Sequence, residues 1–297
     1  MSTATSSGTA TIPGTNVPTS RSERRRREMQ RSSPVWGLLA WIVGLLFVAP
    51  VLWMVLTSLH SETDAATNPP SLAAGLTLDG YRSFLDANPG VPLLNSLWAS
   101  VVSTAIVLCL AIPAAYALSI RPVRKWSDVM FFFLSTKFLP VVAALLPLYL
   151  FATNTGLVDN IWLLVVLYTS MNLPIAVWMM QSFLSEVPVD MLEAASIDGA
   201  GLLRTLRTIV APVAMPGIAA TALICFIFSW NELLLARTLT ATVAGTAPVF
   251  LTGFVTSQGL FLAQLCAAAT VVSLPVLVAG FAAQDKLVQG LSMGAVK

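Results

Sequence analysis

Long apolar segments alternate with short polar ones along most of this chain. From residue 35 onward, six mainly apolar runs are separated by segments that carry the charges, prolines and glycines. Each run is close to the roughly 20 residues that an α-helix needs to cross a bilayer. The pattern predicts an all-α, polytopic membrane protein with six transmembrane helices, at residues 35–59, 94–119, 128–152, 160–182, 213–236 and 260–283.

Two polar segments interrupt this pattern near the start of the chain. Residues 1–33 are rich in serine, threonine and arginine and hold too little apolar surface to fold, which predicts a disordered tail. A single transmembrane domain is then expected over residues 34–297. Residues 60–92 are polar and turn-rich, and they predict an external loop with one short helix near residues 81–85.

The composition agrees with a membrane protein. The chain is 56% hydrophobic and 10% charged, whereas soluble globular domains are roughly 25% charged. A net charge of +2 gives no reason to expect nucleic acid as a partner. Membrane lipid is the expected surrounding of the six spans.

The basic residues indicate how the chain is oriented. If the N-terminus is cytoplasmic, 13 lysines and arginines fall in cytoplasmic segments and two, Arg82 and Arg237, fall outside. Basic residues concentrate on the cytoplasmic side of membrane proteins. Both termini are therefore predicted to be cytoplasmic, and so is the polar segment between the fourth and fifth spans.

That segment, about residues 186–212, carries an unusual share of the charge. Asp190, Glu193 and Asp198 surround a short apolar stripe, and Gly199 and Gly201 then interrupt the helical pattern before leucines restart it. Such a pattern predicts helix, glycine turn and helix, with one face held against the membrane domain and one end offered to a partner groove. An ordinary cytoplasmic helical hairpin is the plainer alternative.

The spacing in this segment resembles the EAA loop of ABC importer permeases. The residues that carry the likeness are Glu193, Ala194, Ala195, Asp198, Gly199, Ile209 and Pro212. Ala211 departs from the family, which usually has leucine before the proline. Further resemblance in order along residues 35–297 is to the carbohydrate-importing, maltose-type branch, and stretches around residues 135–140, 168–178 and 258–261 are most similar to permeases for sorbitol and mannitol.

The resemblance implies a fold, a role and a set of partners. It implies a type I importer permease in a bacterial plasma membrane, whose EAA loop docks into a separate ATP-binding subunit dimer. It also implies a second homologous permease, an extracellular solute-binding protein and a carbohydrate substrate, with a sugar alcohol favoured. ATP and Mg²⁺ would then be bound by the partner ATPase, and no cofactor or metal is expected on this chain.

Polar residues at membrane depth are the candidates for a substrate pathway. A lysine at the centre of a membrane helix costs roughly 2.5–3.5 kcal/mol on insertion scales, so it calls for a functional explanation. Lys137 is expected near the middle of the third span, Glu232 and Asn231 toward the outer end of the fifth, and Asn172 in the fourth. The structural alternative for Lys137 is a pair with Glu232 or with a charge on a partner subunit. For Asn172 it is a bond to backbone groups freed by Pro174.

Enzyme chemistry finds no support in the residues. No lysine follows a glycine, which excludes a phosphate-binding P-loop, and the single histidine excludes a multi-histidine metal site. No catalytic residues are therefore assigned. An ion-coupled secondary transporter remains the alternative function, although only Lys137 and Glu232 would be available as ion-coupling groups.

Overall fold

The computed structural model describes residues 34–67, 74–120, 124–138, 140–256 and 259–294. The predicted tail, residues 1–33, lies outside this part of the chain. The helices of the first half are α1 (Pro34–Thr57), α2 (Glu62–Ala65), α3 (Asp79–Asp86), α4 (Gly90–Ser119), α5 (Trp126–Ser135), a 3₁₀ turn (Thr136–Phe138), α6 (Val141–Thr155) and α7 (Ile161–Leu184).

The second half continues with shorter elements before a final long helix. These are α8 (Val189–Ile197), α9 (Leu202–Thr205), a π-helical turn (Leu206–Val210), α10 (Ala211–Val213), α11 (Met215–Trp230), α12 (Leu234–Leu239), α13 (Ala247–Leu251), a 3₁₀ turn (Thr252–Phe254), strands β1 (Val255–Thr256) and β2 (Gly259–Leu260), and α14 (Leu262–Gly294). The two strands pair antiparallel. Apart from this pair, the all-α prediction is confirmed for the described residues.

In the part of the chain that the structure describes, four helices are long and apolar enough to cross a membrane, and the count reaches six if each of two bent helix pairs is one span. The four are α1, α4, α7 and α14, where the first, second, fourth and sixth spans were predicted. The predicted short external helix is also present, as α3. The described residues up to Trp53, which belong to α1, form a unit separate from the rest, and their apolar side chains are exposed, as expected of a helix in lipid.

The structure is compatible with six spans, but the third and fifth predicted spans are interrupted within the described residues. Pro140 has extended backbone angles and no N–H, so it opens α6 instead of continuing the helix before it. In the fifth region, the helices at Leu202–Val213 and Met215–Trp230 meet at 83°. Helix α11 ends at Trp230, and a separate helix, α12, begins at Leu234.

The core of the second unit is built around α4 and α7. Helix α4 packs along α7, α11 packs against both and against α14, and α14 also contacts α2 and α3. Alanines such as Ala111, Ala115 and Ala176 are fully buried in this packing. Small side chains allow helix backbones to approach closely in membranes, so α4 and α7 form the central pair.

Gly217 lies where α11 packs tightly against Phe183 of α7. A Cβ atom on residue 217 would overlap Cγ, Cδ2 and Cβ of the Phe183 side chain. The residue is buried, and the overlap involves more than the far end of a flexible side chain. A side chain at residue 217 would therefore push the two helices apart.

We expect Gly217→Ala to lower the free energy of unfolding by about 1–3 kcal/mol, the usual range for overpacking. The apparent Tm of the purified protein in detergent measures this. Gly280→Ala is the matched control, because a Cβ at residue 280 meets no atom within 4 Å. Adding Phe183→Ala to Gly217→Ala should give a smaller loss than the sum of the two single losses; simple additivity would contradict the contact.

Candidate functional site

Residues 188–213, here named the Glu193 hairpin, form the predicted helix, glycine turn and helix. At the end of α8 the N–H of Ala200 donates to the carbonyl of Ala195 (2.9 Å), and the N–H of Gly199 donates to that of Ser196 (3.1 Å). Gly199 has a φ of +71°, which glycine adopts without the steric penalty of a Cβ. This is a Schellman ending, and it gives the spacing between Ala195 and Gly199 a structural reason.

One face of the Glu193 hairpin is anchored in the core. Ala195 is buried, and Leu192 and Val210 pack in a cluster with residues of α4 and α7. Val187, just before the hairpin, belongs to the same cluster. The hairpin therefore lies against the C-terminal ends of both central helices.

The other face of the hairpin is exposed. Glu193, Ala194 and Asp198 are all exposed, and two large apolar side chains, Ile197 and Leu203, are 86% and 79% exposed. Gly199 is exposed as well, Ile209 is half-buried in the π-helical turn, and Pro212 is exposed in α10. An exposed combination of acidic and large apolar residues is typical of a protein-binding surface.

A groove of about 590 Å³ runs beside the hairpin, where α4 and α7 end. Glu193, Leu192 and Ser196 line it from the hairpin, and Tyr116 and Ile120 line it from α4. The structure thus brings Glu193 together with the end of a transmembrane helix 73 residues earlier in the chain.

Three of the four pathway candidates lie at interruptions of helices. Lys137 is exposed in the 3₁₀ turn between α5 and α6, not inside a straight third span. The Glu232 carboxylate accepts the N–H groups of Leu235 (2.9 Å) and Ala236 (3.1 Å), and so caps α12. Asn231 is exposed, and its Nδ2 donates to the carbonyl of Ile227.

The structural alternative of a Lys137–Glu232 pair is not seen. Among the residues that the structure describes, the ion pair within 4 Å joins Arg82 to Asp79. The capping role of Glu232 needs no lysine, because the N-terminus of a helix itself favours a carboxylate.

Asn172 is fully buried between three helices. Its Nδ2 donates to Ser229 Oγ on α11 (2.9 Å), and Ser229 Oγ lies 3.1 Å from Ser103 Oγ on α4. This network gives Asn172 a structural contact between helices, but its partners lie on α11 and are not the backbone groups freed by Pro174, so that alternative stays a prediction.

The bond to Ser229 brings Asn172 close to the segment that holds Asn231 and Glu232, whereas no ion pair among the described residues joins Lys137 to Glu232. None of the four candidates lines the groove beside the hairpin or a second, apolar groove between α4, α11 and α14. Their pathway role stays a prediction.

Sequence reasoning missed a polar cluster at the opposite end of α4 and α7. The Asp159 carboxylate, just before α7, accepts the N–H groups of residues 241–244 at 2.8–3.0 Å. Asn95 Nδ2 donates to the carbonyls of Val243 and Gly245, and Ser96 Oγ accepts the N–H of Ala247. We name this cluster, Asp159, Asn95, Ser96 and residues 241–247, the outer clasp.

The charge of Asp159 is stabilised by these bonds. Burial by itself raises the pKa of this carboxyl, but the four backbone N–H donors outweigh it and lower the pKa from 3.8 to about 2. Because the pKa falls on folding, the charged clasp contributes stability at neutral pH and loses it as pH drops from about 4 through about 2. In the sequence, Asp159 looks like any solvated acid between two spans, so no signal pointed to the loop that it binds.

The sequence is similar to proteins of one kind. Residues 107–293 match the family described as "Binding-protein-dependent transport system inner membrane component". The "Probable ABC transporter permease protein y4oR" of Sinorhizobium fredii is 34% identical over 264 residues, which is 89% of this chain and 95% of that protein. The "Trehalose transport system permease protein SugB" of Mycobacterium tuberculosis is 31% identical over 271 residues, 90% of this chain and 98% of that one.

A solved structure shares the fold. It is titled as the crystal structure of a bacterial ABC transporter involved in the import of the acidic polysaccharide alginate. One of its chains superposes with a TM-score of 0.69 at 21% identity, covering 91% of this chain and 99% of that chain. At this identity the likeness shows the fold alone.

We expect Gly199→Ala to loosen the Glu193 hairpin. No atom lies within 4 Å of a Cβ built at residue 199, so the effect is the backbone penalty of a left-handed residue with a Cβ, roughly 1–2 kcal/mol. Hydrogen exchange of residues 194–200 in the purified protein should become faster. Gly201→Ala is the control, since residue 201 has a φ of −68° and equally open surroundings; equal effects of the two changes would contradict the Schellman ending.

Proposed function

The chain belongs to the family of binding-protein-dependent transport system inner membrane components, and on that premise we propose that it is the permease subunit of an ATP-driven carbohydrate importer. The Glu193 hairpin is its docking site for the ATP-binding subunit. This subunit supplies ATP hydrolysis, with ATP and Mg²⁺ bound there and not on this chain. Family membership favours this function over an ion-coupled secondary transporter.

The observation that carries the proposal is the two-sided structure of the Glu193 hairpin. Its buried face packs through Leu192 and Val210 into the cluster at the ends of α4 and α7. Its exposed face presents Glu193, Ile197 and Leu203. A partner that binds the exposed face can therefore move the ends of both central helices.

The mechanism follows from coupling between two sites. When the ATPase dimer closes, the hairpin moves as a rigid body because its turn is held by the Gly199 ending. The two permease subunits then rock against each other, and a cavity between them opens alternately to each side. The proposed complex holds this chain, a second homologous permease, two ATPase subunits and an extracellular solute-binding protein.

The substrate class is argued from resemblance. The relative named for trehalose transport supports a sugar, whereas the stretches quoted above are most similar to sugar-alcohol permeases. Trehalose, sorbitol and mannitol are thus the first substrates to test. Polar residues at helix interruptions, Lys137 and Asn231, stay proposed as contacts for substrate hydroxyls.

The docking role predicts that Glu193→Lys abolishes uptake while the permease remains in the membrane. The reversed charge would repel the partner surface that accepts the glutamate, so the ATPase should no longer copurify with this chain. Glu186→Lys is the control, because Glu186 is also exposed but precedes α8. Copurification and uptake unchanged in Glu193→Lys would refute the docking role.

Uptake assays in a strain that lacks this gene test both the predicted substrate and the predicted energy source. Restoring the gene should restore uptake of radiolabelled trehalose or of a sugar alcohol. Depleting ATP should stop this uptake, and a protonophore applied while ATP is maintained should leave it unchanged. Uptake that follows the proton gradient and not ATP would instead establish the ion-coupled alternative.

A further inference from the structure

The loop between α12 and α13 is held almost entirely by polar groups of other helices. Its residues 241–244 donate four backbone N–H groups to Asp159, and Thr242 Oγ1 lies 3.4 Å from the same carboxylate. Asn95 on α4 donates from Nδ2 to the carbonyls of Val243 and Gly245. The outer clasp thus fastens one loop to the N-terminal ends of both central helices.

We propose that Asp159 is a positioning residue that links the loop at residues 240–246 to the α4–α7 pair, so that movement of the Glu193 hairpin reaches the opposite surface of the protein. This inference rests on the proposed function, because it takes the hairpin to be the part that the ATPase moves. It adds the loop at residues 240–246 as a second part of the protein that moves with the hairpin.

The two ends are joined by the same two helices. On helix α4, Asn95 lies in the outer clasp and Tyr116 lines the groove beside the hairpin. Tyr116 comes 21 positions after Asn95 in this helix, a rise of about 32 Å at 1.5 Å per residue. Helix α7 begins beside Asp159 and ends at Leu184, which lines the same groove.

The α4–α7 pair is packed along its length. Near the outer clasp, Ala99, Leu164 and Val165 are almost fully buried in one cluster. Toward the hairpin, Val107 and Ala111 of α4 pack with Ala176, Val177 and Met180 of α7. Densely packed interiors transmit displacement, so the ends of the pair should move together.

The clasped loop leads into a buried aromatic cluster on that side. The loop continues into α13 and the 3₁₀ turn. There the Phe250 ring packs edge-on against the rings of Phe84 and Phe254, with centroid separations of 5.9 Å and 5.5 Å. Val243 in the loop is 69% exposed. A shift of the loop would therefore change the environment of Val243 and the surface around it.

The test is made on the complete complex, purified with its ATPase through a tag on this chain and placed in proteoliposomes. The reporter is Val243→Cys in a Cys109→Ala background, labelled by a membrane-impermeant maleimide. This cysteine keeps the backbone N–H that Asp159 accepts. The background without Val243→Cys corrects for labelling of the other two cysteines, Cys225 and Cys266, which are buried and half-buried.

We expect trapping with ATP and vanadate to change the labelling rate of residue 243 by at least about fivefold, the low end of coupling between sites. In Asp159→Ala this response should disappear while ATP hydrolysis continues. Asn95→Ala, which loosens the outer clasp from the side of α4, should reduce it in the same direction. Asp86→Ala is the control, because this exposed acid precedes α4 and takes no part in the outer clasp.

Each other outcome overturns one of the two proposals. A complex without ATP hydrolysis, or a tagged chain without its ATPase, would overturn the proposed function. An active complex whose residue 243 does not respond to nucleotide, or whose response survives Asp159→Ala, would overturn the link through the outer clasp. Loss of hydrolysis together with the response in both Asp159→Ala and Asn95→Ala would also overturn it, in favour of a purely structural role.

Discussion

Every interruption of a membrane helix leaves backbone N–H groups without an internal partner, and this constraint shapes the fold. In hydrocarbon such groups must be satisfied within the protein. Among the described residues, two carboxylates do so: Glu232 for the start of α12, and Glu62 for the N–H groups of Ala263 and Gln264 at the start of α14. Asp159 binds the N–H groups of residues 241–244 in the same way, in a largely exposed loop. Hydrogen bonds to a charged acceptor are stronger than neutral ones, so each carboxylate fixes a short element in one position.

The same constraint explains why α4 and α7 can act as one body. Both helices run without a break along the core, so their middle sections can pack through small residues such as Ala111 and Ala176. The polar contact between α7 and α11, from Asn172 to Ser229, is itself buried and directional. Movement can then concentrate where the chain is interrupted, at the Glu193 hairpin and at the loops on the opposite side.

The sequence predicted what depends on local pattern and missed what depends on distant partners. Hydrophobic length gave the positions of α1, α4, α7 and α14, and the glycines gave the turn of the Glu193 hairpin. The break at Pro140 carried a usable signal, because proline cannot continue a helix, but the apolar run around it outweighed that signal. The end of α11 at Trp230 was harder to foresee, because the capping role of Glu232 appears only once α12 is known to start beside it.

Asp159 and Lys137 both show that local sequence does not reveal the contacts of a polar residue near the membrane. Asp159 binds residues more than 80 positions later in the chain, and no local pattern connects the two. For Lys137 the prediction assumed a straight span and so placed the charge at mid-membrane, whereas a turn between two helices holds it. Residue type alone identified both as polar groups near membrane segments, but only the three-dimensional contacts separate a capping carboxylate from an exposed lysine.

The exposed side chains of the Glu193 hairpin need an explanation other than lipid. On α1 or α14, exposed leucines face the bilayer, and lipid accounts for them. Ile197 and Leu203 are more exposed than most such residues, yet they stand among Asp198, Arg204 and Arg207, whose charges require water. Large apolar side chains in an aqueous segment are unfavourable unless another protein covers them, and a hairpin anchored at the ends of two packed helices is placed to pass on whatever force that protein applies.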